Sequence, residues 1–305
     1  MKSVCQGIFV FAASAGLVAC GGSSSSGETG LLSLGVSDHP IHGIDKVCIA
    51  FNAIELKPAG GGPAFPIDLT ETVTVNLLDF QGMNAFPLLD KEEVPAGDYA
   101  WMRLVVDANL GAAGGGDTAT SSLCDGEASY IVTDVDTQHN LYVPSGDQTG
   151  LKLSGFTVPA NASVDFTAEW DLMSSITEPP GLHSDVILRP HIKLVDNNEV
   201  GALSGTVSEG LVASVETCTP AVYVFVNATA NASDIVAGAS VASGIVSPID
   251  ENNTTLGYGY EIGHLLVGSY EAAFSCDDGV TFIAEPTEPN PFDINVGEVT
   301  QRSFQ

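Results

Sequence analysis

The sequence has very few basic residues. It contains 9 Lys and Arg against 38 Asp and Glu, which gives a formal net charge of −29 at pH 7. A protein this acidic repels phosphate backbones and anionic lipid headgroups. The composition therefore argues against nucleic acid as a partner and predicts that cations gather loosely around the folded chain.

Familiar catalytic motifs are also missing. The sequence has no G-x-S-x-G elbow, no phosphate-binding loop ending in G-K-[ST], no H-E-x-x-H zinc motif and no G-x-G-x-x-G turn. We therefore expect a non-enzyme. The alternative is an envelope hydrolase that uses loop carboxylates, because a sequence does not show which acidic side chains converge at glycosidase distance.

Sustained apolar character is confined to the N-terminus. The run Gly7 to Ala19 follows Lys2 and is too short to stay in a bilayer as a spanning helix. It predicts a cleaved signal peptide over residues 1–19. The end of this run, Leu17-Val18-Ala19-Cys20, resembles a bacterial lipobox. That resemblance implies cleavage before Cys20 and acylation of Cys20, whereas an ordinary secretory signal is the alternative.

A Gly/Ser tether follows the cysteine. Residues 20–30 offer almost no apolar side chain to bury before Leu31, so they predict flexible coil. Two or more acyl chains on Cys20 would give stable membrane attachment. Gly21, in place of an Asp, favours the outer membrane by resemblance to sorted lipoproteins. We expect a lipid-anchored protein of the bacterial cell envelope, at the outer membrane.

The remaining cysteines predict structural disulfides. The chain has 6 cysteines, of which Cys5 lies in the leader. Once Cys20 is acylated, four are left, and four cysteines allow three pairings. An oxidising envelope and one pair in each half favour Cys48–Cys124 and Cys218–Cys276.

The hydrophobic pattern predicts an all-β protein of two sandwich modules. Residues alternate in runs such as Val47, Ile49 and Phe51, and turn-forming clusters separate these runs. After Phe51 the alternation slips to Ile54, which indicates a β-bulge. Helical periodicity is absent except for a short turn near residues 172–177. A polar turn before Gly201 places the module boundary near residues 198–200, giving modules 31–198 and 199–305.

The first module resembles a bacterial lipoprotein family known as domain of unknown function 4382. The resemblance rests on stretches in a fixed order along the chain: LSLGVSDHP (32–40), VCIAFNAIEL (47–56), VNLLDFQG (75–82), VPAGDY (94–99), RLVVD (103–107), LYVPSG (141–146), GLKL (150–153) and LRPHIKLVD (188–196). It implies an envelope lipoprotein and a β-sandwich, without an established chemistry.

The second module resembles, more loosely, transthyretin-like or carboxypeptidase-regulatory-like domains. The resemblance rests on the opening GALSGTV (201–207) and on the hairpin from Tyr260 to Tyr270. It implies an Ig-like or transthyretin-like β-sandwich with a structural or binding role.

One short segment suggests a metal site. Asp38, His39, His42 and Asp45 provide nitrogen and oxygen ligands of the kind that zinc takes. Pro40 prevents a helical pairing of the two histidines. The alternative is that Asp38 contacts backbone amides in a turn while the histidines lie in a solvated loop. Calcium, bound by carboxylates of loops at one end of a sandwich, would order the modules as a surface scaffold in a further alternative.

Aromatic residues provide the remaining binding candidates. Tyr258 and Tyr260 in LGYGY are candidates for stacking on a sugar ring, whereas Trp101 and Trp170 lie on strand-like runs and are expected in the core. Taken together, the sequence predicts a lipid-anchored envelope protein with a non-catalytic binding or structural role, its partner being a surface glycan or an envelope protein.

Overall fold

The computed structural model describes residues 27–39, 41–108, 124, 126, 128–135, 137–144, 150–177, 185–189, 191–213, 217–226, 240–251, 254–277 and 279–305. Strands dominate these residues, as the alternating pattern predicts. Helix is confined to a 3₁₀ turn at Leu77–Asp79 and to two single-turn helices, α1 (Leu172–Ser175) and α2 (Glu209–Val212). No helix in the described part of the chain is long and apolar enough to cross a membrane.

Two sheets form the first sandwich, which spans residues 29–196. Its strands are β1 (Thr29–His39), β2 (Ile44–Pro58), β3 (Phe65–Asn76), β4 (Phe86–Pro95), β5 (Gly97–Val106), β6 (Tyr130–Thr133), β7 (Gln138–Tyr142), β8 (Leu151–Leu153), β9 (Phe156–Val158), β10 (Ser163–Asp171), β11 (Ile176–Thr177), β12 (Val186–Leu188) and β13 (Ile192–Asp196). Sheet one has the order β13-β10-β1-β4. Sheet two has the order β11-β12-β7-β6-β2-β5-β8, with β3 also paired to β2 and β9 to β5.

Two further sheets form the second sandwich, which begins at residue 200. Its strands are β14 (Val200–Val207), β15 (Ala221–Val226), β16 (Ala242–Ile245), β17 (Ser247–Glu251), β18 (Thr254–Leu266), β19 (Gly268–Ser275), β20 (Phe282–Ala284), β21 (Phe292–Ile294) and β22 (Val299–Gln301). Sheet three has the order β17-β18-β14-β22. Sheet four has the order β16-β15-β19-β20, with β21 also paired to β19.

Each sandwich has its own hydrophobic core. The first core includes Leu34 and Trp170 of sheet one and Phe51 and Met102 of sheet two, all at most 1% exposed. The second core includes Leu203 of sheet three and Phe274 of sheet four, both 0% exposed. These cores account for the alternation, because a strand that covers a core on one face buries every second side chain.

Three local predictions are confirmed. The pairing of β2 with both β3 and β5 shifts register between Phe51 and Ala53, which is the predicted bulge. The turn predicted near residue 172 is helix α1, whose first turn is capped by Asp171 accepting a hydrogen bond from the Ser174 N–H at 3.0 Å. Both predicted disulfides, Cys48–Cys124 and Cys218–Cys276, are present.

Candidate functional site

The outer face of sheet one is buried where the two sandwiches meet. Register pairs Ser37 with Glu169 and Glu169 with Lys193, so these side chains share the face that points away from the first core. Ser37 is 0% exposed and Glu169 is 3% exposed. A polar face of this kind would be wet in an isolated sandwich. Here residues 80–85 and strand β18 cover the part of the face that carries Ser37 and Glu169, whereas Lys193 stays exposed at its edge. We call this region the junction.

Two glycines allow the backbones to meet at the junction. A Cβ atom on Gly263 would lie 2.0 Å from the Gly82 carbonyl oxygen, so no side chain fits there. Gly82 itself has φ +63°, the left-handed region that favours glycine. Beside it, the Met83 N–H donates a hydrogen bond to Glu261 Oε1 at 3.1 Å. The first sandwich therefore contacts β18 through main chain as well as through side chains.

A β-bulge directs His264 into the junction. Gly201 pairs with Leu265 and Leu203 with Ile262, so two residues of β18 lie opposite the single residue Ala202 of β14. His264 has φ +50°, an uncommon conformation outside glycine that costs roughly 1 to 3 kcal/mol. Bulges of this kind turn a side chain away from its regular face. Here the bulge places the imidazole against sheet one.

Glu169 and His264 form a buried pair across the junction. His264 Nδ1 lies 3.0 Å from Glu169 Oε2, and both side chains are 3% exposed. The two atoms are within ion-pair distance but are not aligned as a directed hydrogen bond. The contact is therefore chiefly electrostatic, and burial strengthens it because the protein interior has a lower dielectric constant than water. It ties β10 of the first sandwich to β18 of the second.

A cavity of about 440 Å³ opens beside this pair. Its wall combines strand β13 and Glu169 of the first sandwich with residues of the second. The lining is mostly apolar and includes Ile192, Leu194, Val226, Ala242, Leu265, Leu266 and Tyr270. Lys193 spans the two walls, since its Nζ donates a hydrogen bond to the Val241 carbonyl at 2.6 Å. A second, more open groove of about 500 Å³ lies between Gln81–Gly82 and sheet three.

The described residues of the predicted metal segment differ in their burial. Asp38 is 1% exposed, whereas Asp45 is exposed and His42 is half-buried. Asp38 does not lie in the expected turn, although the Leu172 backbone amide is close enough to lower its pKa. The reason is that β1 continues through Asp38, which pairs with Trp170 and faces the first core. The His39 side chain lies outside the part of the chain that the structure describes.

Metal binding stays a prediction. Within the described ranges, no group of three or more His, Cys, Asp or Glu side chains is placed to hold an ion. Cys20, the predicted acylation site, lies outside the described residues, as does the signal peptide.

Burial and neighbouring charge raise the pKa of Asp38 well above its usual range. Desolvation is the main cause, the nearby carboxylates Glu169 and Asp171 add to it, and the Leu172 backbone amide opposes it. A raised pKa in the folded state means that this group stabilises the fold at low pH. That stability declines as the pH rises from about 4 through the folded-state pKa.

We therefore expect Asp38→Asn to gain stability relative to the unchanged protein as the pH rises. The amide stays neutral, so the difference in unfolding free energy should grow by about 1.4 kcal/mol for each unit by which folding raises the Asp38 pKa. Urea unfolding across a pH series measures this difference. A variant whose relative stability does not change with pH would contradict the assignment.

The tyrosine prediction requires a correction. Tyr260 is 6% exposed, its hydroxyl donates a hydrogen bond to the Arg302 carbonyl at 2.7 Å, and its ring packs near Phe304. Its pKa is raised, chiefly by burial. Tyr260 is therefore a core residue and its ring is not available for stacking on a sugar. Tyr258 is half-buried against the same core, so its binding role stays a prediction.

Sequence reasoning missed the junction residues. Glu169 lies on a strand face that the alternation assigns to solvent, and nothing local in the sequence shows that a second sandwich covers it. The β-bulge at His264, by contrast, leaves a signal in the sequence. Hydrophobic residues alternate at Tyr260 and Ile262 and then resume at Leu265 instead of residue 264, a slip of the same kind as the one that predicted the bulge after Phe51.

A family model described as "Domain of unknown function (DUF4382)" matches residues 29–190, which is more than half of the chain. This range ends inside the first sandwich. No curated protein matches the chain.

Three similar solved structures superpose on this chain with low TM-scores. They are a leucine-rich repeat protein from Bacteroides thetaiotaomicron (TM-score 0.21, 10% identity, 90% of this chain and 26% of that chain), the Bacillus anthracis TIE protein (TM-score 0.18, 10% identity, 90% and 34%) and a minor pilin of Streptococcus agalactiae (TM-score 0.18, 9% identity, 90% and 96%). This chain thus spans 26% and 34% of the first two. TM-scores and sequence identities this low establish neither a common fold nor a common function.

Proposed function

We propose that this chain, which belongs to the DUF4382 family, is a lipid-anchored envelope protein whose two sandwiches act as one non-catalytic binding or structural body. The observation that carries the proposal is the junction. Its buried Glu169–His264 pair and the backbone contact between Gly82 and Gly263 favour two sandwiches that move together. A rigid body of this kind suits a protein that presents a surface at the end of a flexible tether.

The disulfides support an envelope location. Structural disulfides persist in oxidising compartments and are rare in the cytosol. The two bonds staple the two sandwiches separately, one in each. This fits the leader over residues 1–19 and the acylation of Cys20 that the sequence predicts.

The placement of unusual carboxyl groups favours binding over hydrolysis. Among the described residues, Asp38 and Glu271 have carboxyl groups whose pKa is raised, in both cases chiefly by burial. Neither lines the cavity beside the junction or the open groove. A catalytic acid has to reach its substrate, so these two groups are poorly placed for that role.

Metabolic labelling with a fatty acid tests the anchor. In a Gram-negative host we expect label on the mature chain and co-sedimentation with outer membranes. Cys20→Ser should lose the label and move to the soluble fraction, because one residue supplies the whole attachment. Cys5→Ser is the matched control and should retain both properties, since Cys5 is removed with the leader. A membrane-bound, labelled Cys20→Ser protein would contradict the proposed anchor.

A further inference from the structure

The cavity beside the junction has the features of a ligand site. Its volume of about 440 Å³ falls within the range of roughly 300 to 1,000 Å³ typical of small-molecule pockets, which concentrate at interfaces between domains. Its wall joins both sandwiches. Val226 is 56% exposed and Leu266 is 50% exposed, so the cavity reaches the surface between apolar side chains.

The polar side chains that line the cavity include Ser154, Lys193 and the buried Glu169–His264 pair. Glu169 and His264 both line the cavity while remaining 3% exposed as side chains. Most of the remaining wall is aliphatic or aromatic, and the Lys193 ammonium already donates a hydrogen bond to the Val241 carbonyl. A carboxylate in an apolar wall selects a partner that donates a hydrogen bond, because the low dielectric strengthens that contact.

The conformation of His264 is a second, independent indication. Its left-handed backbone and the β-bulge beside it place the imidazole at the cavity instead of in the regular strand position. Such strained residues concentrate at ligand sites, where the surrounding structure holds them in place. The sandwich core has no need of this conformation, because Ile262 and Leu265 bury their side chains on either side of it.

We propose that this cavity binds a small amphipathic molecule, with an apolar body against Leu194, Leu265 and Tyr270 and an amine or hydroxyl group donating a hydrogen bond to Glu169. The inference deepens the proposed binding role and depends on it. The negative charge of the chain, −29 at pH 7, favours the approach of amines over that of acids.

Titration with the fluorescent amine aminoanthracene tests the site, using the purified Cys20→Ser chain. We expect a saturable rise in fluorescence. Val226→Trp should block the mouth and Ala242→Phe should fill the interior, each weakening binding at least tenfold. Val280→Phe is the matched control and should bind as the unchanged chain does, because Val280 is 72% exposed and outside the cavity lining.

A separate variant tests the proposed hydrogen bond between the ligand and Glu169. Glu169→Gln keeps the shape of the side chain but replaces the charged acceptor with a neutral amide, and we expect at least tenfold weaker binding. Thermal melts establish that each variant is folded, and Val226→Trp carries the test if Ala242→Phe is not. No saturable binding, or binding unchanged in both Val226→Trp and Glu169→Gln, would overturn the inference. Either result would leave the fatty-acid labelling of Cys20 unaffected.

Discussion

Replacing Glu169 with Ala should destabilise the protein by about 1 to 3 kcal/mol, because the substitution removes one partner of a buried polar pair and leaves the His264 imidazole without that contact. Both side chains are 3% exposed, so the contact is largely shielded from bulk water in the unchanged protein. Urea unfolding near neutral pH measures the loss. The matched control is Glu92→Ala on β4 of the same sheet, where the side chain is exposed and the change should stay within about 0.5 kcal/mol.

A double-mutant cycle isolates the pair from the other contacts of Glu169. The partner substitution is His264→Asn, because Asn tolerates a positive φ better than Ala does. If the pair carries the effect, Glu169→Ala should cost at least about 1 kcal/mol less in the His264→Asn background than in the unchanged protein. Equal costs in both backgrounds would show that Glu169 acts through other neighbours.

Removing either disulfide should cost about 4 kcal/mol. The bonds close long loops, with sequence separations of 76 residues for Cys48–Cys124 and 58 for Cys218–Cys276. In the chain-entropy model, loops of this length give the unfolded chain much more freedom when the bond is absent. The paired Cys-to-Ala variants should therefore melt roughly 8 to 16 °C lower than the parent chain.

The variants that lack Cys48–Cys124 and Cys218–Cys276 are compared with each other, because each removes one bond from a different sandwich. If the sandwiches unfold together, both variants should lower the same transition. Under reducing conditions the unchanged protein should approach the stability of a chain that lacks both bonds, whereas that chain should not respond to the reductant. A loss below about 1 kcal/mol in either variant would contradict a stabilising role for that bond.

The sequence carries enough information to predict the strand-rich fold and its two disulfides. Alternation is a local signal, which is why the runs at Val47 to Phe51 and the slip after them appear in the structure as a strand and its bulge. Cysteine pairing followed from compartment and from position in the chain. The strand prediction depends on neighbouring residues along the sequence, and the disulfide prediction depends on the number and positions of the cysteines.

The junction depends on contacts between distant segments, and local patterns do not encode these. Ser37 and Glu169 have the polarity of a solvated strand face, yet both are buried by segments that are distant in the chain. Ser37 donates a hydrogen bond to the Phe80 carbonyl, and Glu169 lies against His264. Asp38 reverses the usual expectation as well. Its position two residues before Pro40 suggests a turn, but β1 continues through Asp38 and carries its carboxyl into the core, where its pKa rises.

Differential scanning calorimetry of the Cys20→Ser chain tests the central claim that the two sandwiches form one body. If the buried junction couples them, the protein should unfold in one transition whose calorimetric enthalpy equals its van't Hoff enthalpy. Two separated transitions, one for each sandwich, would contradict the claim.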